Sequence, residues 1–218
     1  MSAVKRAVLL LLVAIGTNAA PTSEDCHRLK NQSISDLNEV MGDWVLVWSV
    51  ATIKLSNDVM QKLSSSHAEM RMHHDNHTIL LTERHLLHDK SCRKDFMNFT
   101  IDESGNHTLD CISATVEIGG IVSPFNESEQ VDFYQSCSEC MTMLYSSRLG
   151  RHLLIYRKEG HHHDLEEMKS HHDANRKMAE CLGIPHDREF IYDGVADFCH
   201  KKSSPEADAA ASAAPVLS

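Results

Sequence analysis

Eight short segments of strand character, separated by polar turns, constrain the fold of this chain more than any other feature. They run over Trp44–Lys54, His67–His73, Thr78–Leu86, Cys92–Ile101, His107–Glu117, Val131–Cys137, Cys140–Ser146 and His152–Arg157. Turn-forming pairs and clusters lie between them: Asp75-Asn76, Glu103-Ser104-Gly105-Asn106, Ser138-Glu139 and Leu149-Gly150. Short connections of this kind join antiparallel neighbours. Eight such strands suggest an up-and-down barrel, which has no open edge. An eight-stranded barrel is just wide enough to hold one small ligand. The expected fold class is therefore all-β with one C-terminal helix, an antiparallel eight-stranded barrel around an internal ligand cavity.

The helix is expected over Asp164–Leu182. There Leu165, Met168, His172, Asn175, Met178, Ala179 and Leu182 recur at spacings of three and four, and Gly183 and Pro185 end the pattern. A short strand, Phe190–Tyr192, follows. Residues 1–20 read as a signal peptide: Lys5 and Arg6 precede the apolar run Ala7–Ile15, and Asn18-Ala19-Ala20 offers small residues for cleavage. The run is too short to span a bilayer. The barrel domain is placed at 21–202. The tail at 203–218, rich in Ser, Ala and Pro, is expected to be disordered.

The chain is acidic, with 31 Asp and Glu against 21 Lys and Arg and a net charge of −10. That sign opposes binding to nucleic acid or insertion at an anionic membrane. Five Asn-x-Ser/Thr sequons, at Asn31, Asn76, Asn98, Asn106 and Asn126, join the leader in predicting a secreted, N-glycosylated protein of plasma or mucus. Seven cysteines in an oxidising compartment should mostly pair, with at least one left over. Cys137 and Cys140 flank a two-residue turn and are placed to bridge it, leaving Cys111 free; Cys111 paired with either of them is the alternative.

Gly42-Asp43-Trp44, with Cys26 upstream and the apolar run Val45-Leu46-Val47-Trp48 after it, resembles the first signature of the lipocalin family. Leu154-Ile155-Tyr156-Arg157 resembles the last signature. The resemblance implies that Trp44 closes the barrel floor and that Arg157 stacks on it, a cation–π contact. Glu180-Cys181-Leu182-Gly183-Ile184-Pro185 and Tyr192–Cys199 are similar to the orosomucoid group of acidic glycoproteins. Fish members of that group bind tributyltin, or saxitoxin and tetrodotoxin. The likeness implies disulfides Cys26–Cys181 and Cys92–Cys199. It also implies a carrier, not an enzyme, that sequesters small lipophilic or toxic molecules, works as a monomer and needs no cofactor.

If Trp44 points inward, strand alternation places Leu46 and Trp48 on the same face. Met70, Met72, Leu81, Phe96, Phe133 and Tyr145 are the expected lining residues of the other strands. A guanidinium toxin would need carboxylates turned into the cavity, and Glu69 and Glu83 are the mid-strand acids to supply them. A triorganotin would instead draw on a thiolate such as Cys111 with a neighbouring histidine. Cys111 is also the one residue an enzymatic reading would use as nucleophile. The chain carries 16 histidines. The run His161-His162-His163 is a weak metal candidate, and a metal-binding or immunomodulatory glycoprotein is the alternative function.

Overall fold

Extended backbone sends successive side chains to opposite faces, so a strand sorts its sequence into an inside and an outside. In the computed structural model, which describes Thr22, Cys26 and residues 36–52, 60–100, 108–125, 129–134, 137–148, 150–195 and 198–199, that sorting builds a closed barrel. The expected leader and tail lie outside the described residues, as do Asn31, Asn106 and Asn126.

The wall consists of β1 (Gly42–Ala51), β2 (Leu63–Met72), β3 (Thr78–Leu87), β4 (Cys92–Thr100) and β5 (Thr108–Ile118), and then β7 (Gln130–Tyr134), β8 (Cys140–Ser147) and β9 (Gly150–Lys158). Each pairs antiparallel with the next, and β9 pairs with β1 to close the sheet. A short β6 (Ile121–Pro124) folds back on β5 outside this path. The strand β10 (Phe190–Ile191) takes the edge of β1 beyond the point where β2 has left it.

Three differences from the expected strands have local causes. β2 begins at Leu63, four residues before the expected start, because Ser64, Ser65 and Ser66 conceal it in a hydropathy pattern. Ser65 and Ser66 are fully buried all the same, and the Ser66 hydroxyl lies 2.9 Å from His85 Nδ1. β6 was not expected. Its signal is Gly119-Gly120, both at positive φ (59° and 80°), the pairing that a two-residue hairpin favours between Ile118 and Ile121. The sixth expected strand, Val131–Cys137, is β7 and is bounded at Tyr134; Cys137 instead sits in the turn and is bonded to Cys140.

The expected single helix is two, α1 (Leu165–Ser170) and α2 (His172–Cys181). Asp164 caps α1 by accepting a hydrogen bond from Glu167 N–H at 2.9 Å. His171 between them keeps helical dihedrals (φ −91°, ψ −8°), so the apolar stripe stays in phase across the break. Met168 and Ala179 on that stripe are buried. Among the described residues no helix is long and apolar enough to cross a membrane.

The core fills the end of the barrel that Trp44 closes. Trp44 is 2% exposed, and its indole Nε1 donates to the carbonyl of Val40 in a short 3-10 turn (Leu37–Val40) at 2.9 Å. Met70, Ile79, Leu81, Phe99, Leu109, Phe133, Met141 and Met143 pack above it. Cys26 is bonded to Cys181, Cys92 to Cys199, and Cys137 to Cys140; Cys111 is the free cysteine.

Candidate functional site

A cavity of about 320 Å³ occupies the half of the barrel above this packed floor. Cross-strand partners share a face, so the register identifies what points in. His85 and Glu83 on β3 face Ser66 and Ala68 on β2. Tyr145 on β8 faces His152 on β9, and Leu46 on β1 faces Tyr156 on β9. The apolar part of the lining includes Leu46, Leu63, Leu87, Met97, Phe125 and Leu154. Set into it is a polar cluster: Glu83, His85, Arg93, Asp95, His152, Tyr145 and Tyr156, with Glu129 also on the lining.

These polar groups hold one another. Tyr156 donates its hydroxyl to Glu83 Oε1 at 2.7 Å. His85 Nε2 lies 3.4 Å from Asp95 Oδ2 and 3.7 Å from Glu83 Oε2. Arg93 Nε donates to Asp95 Oδ1 at 2.8 Å. Burial is the largest single influence on His85 and acts to lower its pKa. The neighbouring carboxylates of Asp95 and Glu83 together outweigh it, and the imidazole is pushed up to about 9. Burial likewise works to raise Asp95, but His85 and Arg93 hold its carboxyl below the ordinary value. His152, by contrast, is lowered by burial. Burial pushes the Tyr145 and Tyr156 hydroxyls well up, with the charge of Glu83 adding to it, so both remain donors. The Tyr145 hydroxyl is buried and has no hydrogen-bond partner among the described residues.

The raised His85 ties stability to pH. A group that binds its proton more tightly when folded contributes fully below its unfolded pKa, near 6.5, and the contribution is lost as pH rises through about 9. Thermal unfolding is therefore expected to show stability declining between pH 6.5 and 9.5, and a His85→Asn variant should flatten that decline. An unchanged slope in the variant would remove His85 as its source.

The expected lining residues fall into three groups. Leu46 and Tyr145 line the cavity. Met70, Met72, Leu81 and Phe133 lie on inward-facing register positions; Met70, Leu81 and Phe133 are packed into the floor, and Met72 packs against it. Cys111 stands opposite the inward-facing Phe99 and, like Met72, packs against the floor; Trp48 and Phe96 are corrections.

The register of β1 against β9 slips between Leu46 and Trp48, a bulge that places Val47 and Trp48 on the outer side together. Trp48 is fully buried, but beneath the helices. It lines a small crevice with Met168, His172 and Asn175, and its Nε1 donates to Glu189 Oε2 at 3.3 Å. The Arg176 guanidinium grips the same carboxylate with two hydrogen bonds, at 2.6 and 3.0 Å. Past the bulge, Ser49 and Ala51 hold the inward positions, opposite Leu154 and His152.

Phe96 lies between the inward-facing Asp95 and Met97 and is 36% exposed outside the barrel. Cys111 is off the cavity lining, with its thiol 3.4 Å from the carbonyl of Ser113. Burial, then the charge of Glu129, raises its pKa, which disfavours the thiolate that tin coordination or nucleophilic attack requires.

Of the two mid-strand acids, Glu83 faces the cavity. Glu69 faces outward and pairs with Arg84 at 3.1 Å and Arg71 at 3.3 Å. Arg157 stands opposite Val45, whereas Trp44 stands opposite Lys158, so their side chains leave opposite faces of the sheet. The Arg157 guanidinium donates to Glu167 at 2.8 Å and to Cys137 Sγ at 3.4 Å in place of the implied stack on Trp44. Gly42 opens β1 with φ +127°, a conformation that favours glycine. Asn76 lies in the exposed β2–β3 turn, and Asn98 lies outward on β4, donating to Ser113.

His85, Arg93, Asp95, Glu129, His152 and Tyr156 were not among the expected lining residues. Their signal is alternation: Glu83-x-His85 and Arg93-x-Asp95-x-Met97 each share one face. An assumption that only apolar side chains point inward conceals them.

The chain is 43% identical to saxitoxin and tetrodotoxin-binding protein 1 of Takifugu pardalis over 208 residues, covering 94% of this chain and 52% of that protein. It is 42% identical to saxitoxin and tetrodotoxin-binding protein 2 of the same species over the same share of each chain. The chain thus spans about half the length of either relative. No protein-family model matches it. Among solved structures, the siderocalin Ex-FABP covers 72% of this chain with 96% of its own, at a TM-score of 0.52 and 10% identity.

Proposed function

We propose that this chain, which has the barrel fold of the lipocalins and is similar in sequence to the saxitoxin and tetrodotoxin-binding proteins, is a carrier that holds a small cationic ligand in the barrel cavity. One observation carries the reading: Glu83 is a buried carboxylate turned into an otherwise largely apolar pocket. A carboxylate there is costly unless it is paired. In the free protein Tyr156 and His85 hold it.

Saxitoxin and tetrodotoxin are polar cations built on guanidinium groups. A guanidinium presents planar N–H donors that match a carboxylate, and pairing in a low-dielectric pocket strengthens such bonds. Glu83, Asp95 and Glu129 outnumber the protonated His85 and Arg93, so the lining favours a cation by one charge. The Tyr145 hydroxyl supplies a donor for the ligand's own oxygens. A thiolate-held tin compound finds no thiol on this lining. On this reading the chain is secreted through its leader, carries glycans on outward sites such as Asn76 and Asn98, and makes or breaks no bond.

Equilibrium dialysis with tetrodotoxin, saxitoxin, tributyltin and a neutral steroid tests it. We expect one guanidinium toxin bound per chain, and Glu83→Gln to weaken it by at least about tenfold, the loss of one charge-assisted pairing. Binding of the steroid or the tin compound alone, or toxin affinity unchanged in Glu83→Gln, would overturn the reading.

A further inference from the structure

Outside the cavity, at the closed end of the barrel, three side chains from three separate segments converge. Asp43 comes from β1, His67 from the outer face of β2, and Glu159 from the turn that follows β9. Their ligand atoms all lie within 4.8 Å of one another. His67 Nε2 stands 3.3 Å from Glu159 Oε2 and 3.6 Å from Asp43 Oδ1. The first separation is long for a hydrogen bond, and the second is not one. Both suit a shared ion: donors about 2.1 Å from a tetrahedral zinc ion lie about 3.4 Å apart.

We propose that Asp43, His67 and Glu159 form a Zn²⁺ site, with solvent completing the coordination. One imidazole and two carboxylates are donors that zinc accepts.

The surroundings fit an outer shell. Arg71 Nη2 donates to Asp43 Oδ2 at 2.8 Å, which orients the carboxylate while Oδ1 faces His67. The backbone N–H of Glu159 donates to the Asp43 carbonyl at 2.9 Å and fixes the spacing of the two acids. His67 is fully buried, with the Phe198 ring centred 5.2 Å away, and His162 packs on the same phenyl ring at 6.2 Å. Asp43 and Glu159 are 28% and 37% exposed, so the site is closed behind the imidazole and open to solvent in front, which gives an ion a way in.

The cavity cluster of Glu83, His85 and Asp95 is the other group of this composition among the described residues. It is less suited to a metal ion. Its His85 is held protonated, which leaves the imidazole no lone pair for a metal. The exposed run at His161 and His163 offers imidazoles without such a frame.

The test is calorimetric titration of the full tag-free chain with ZnCl₂, with Co²⁺ absorption as the readout of geometry. Wild type is expected to bind one Zn²⁺ per chain at the site and to show the intense visible bands of four-coordinate Co²⁺. Glu159→Gln, at a partly exposed turn residue, should fold normally and weaken zinc by about tenfold or more; Asp43→Asn should do the same. The proposal is overturned if neither variant changes the affinity. It also fails if binding is lost only in His161→Gln/His163→Gln or only in Glu83→Gln. Toxin dialysis on Glu159→Gln separates the two sites: an intact toxin affinity with lost zinc binding leaves the cavity reading standing.

Discussion

Trp44→Ala is expected to lower the unfolding free energy by about 3–5 kcal/mol, the range for removing a large buried aromatic. The side chain is 2% exposed and lies beneath the barrel floor, where little else can move to fill its volume. Its loss also strands the Val40 carbonyl, which the indole N–H satisfies, in a fully buried residue. The effect should reach the cavity as well, because the floor residues that rest on Trp44 set the depth of the pocket. Urea unfolding would measure it, with Trp44→Phe as the comparison: phenylalanine keeps most of the volume and loses the hydrogen bond, so it should fall between wild type and alanine. A loss under about 1 kcal/mol in Trp44→Ala would mean that the indole does not seal the floor.

The second large effect is expected from the Cys92→Ser/Cys199→Ser pair. The bond joins residues 107 apart, and in the chain-entropy model a loop of that length is worth about 4–5 kcal/mol, with measured losses commonly about 2–5. It ties the segment bearing Phe198 to the start of β4. That segment covers His67 from outside, so the loss should exceed that of the short Cys137–Cys140 bridge, which spans three positions in a hairpin turn. Thermal unfolding of both double-serine variants under non-reducing conditions would compare them. Equal losses would show that loop length is not what makes the long bond matter.

Much of the architecture was legible in the sequence because it follows from local pattern. Period-two alternation, turn residues at regular spacing and a single three-four stripe between Asp164 and Leu182 suffice for eight strands and a C-terminal helical region. Gly42-Asp43-Trp44 marked the barrel's start through its resemblance to a family signature, not through local pattern. The exceptions are also local in origin. A run of serines conceals the start of β2, because side chains that look solvent-exposed are buried with a partner on β3. The hairpin at Gly119-Gly120 is legible in retrospect, since two adjacent glycines between isoleucines match a turn that needs positive φ twice.

The site was less legible, and Trp48 shows why. Counting by twos from Trp44 puts it inside. One inserted residue at Val47 reverses the parity for the rest of β1, and nothing in Val45-Leu46-Val47-Trp48 announces the bulge, since every side chain there is apolar. Phe96 fails for a related reason. Ranking residues by hydropathy places the phenylalanine inside and its neighbour Asp95 outside, and the barrel does the reverse. Asp95 is tolerated there only because His85 and Arg93 meet it.

By itself, then, the sequence determined the strand and helix content and the barrel class, all properties of neighbouring residues, while the tryptophan that closes the floor came from the family resemblance. Tertiary structure decided which face each strand turns inward, and so which groups meet a ligand. That decision rests on register between strands distant in sequence. It also rests on pairs such as Glu83 with Tyr156, 73 positions apart, whose burial is favourable only once both are in place.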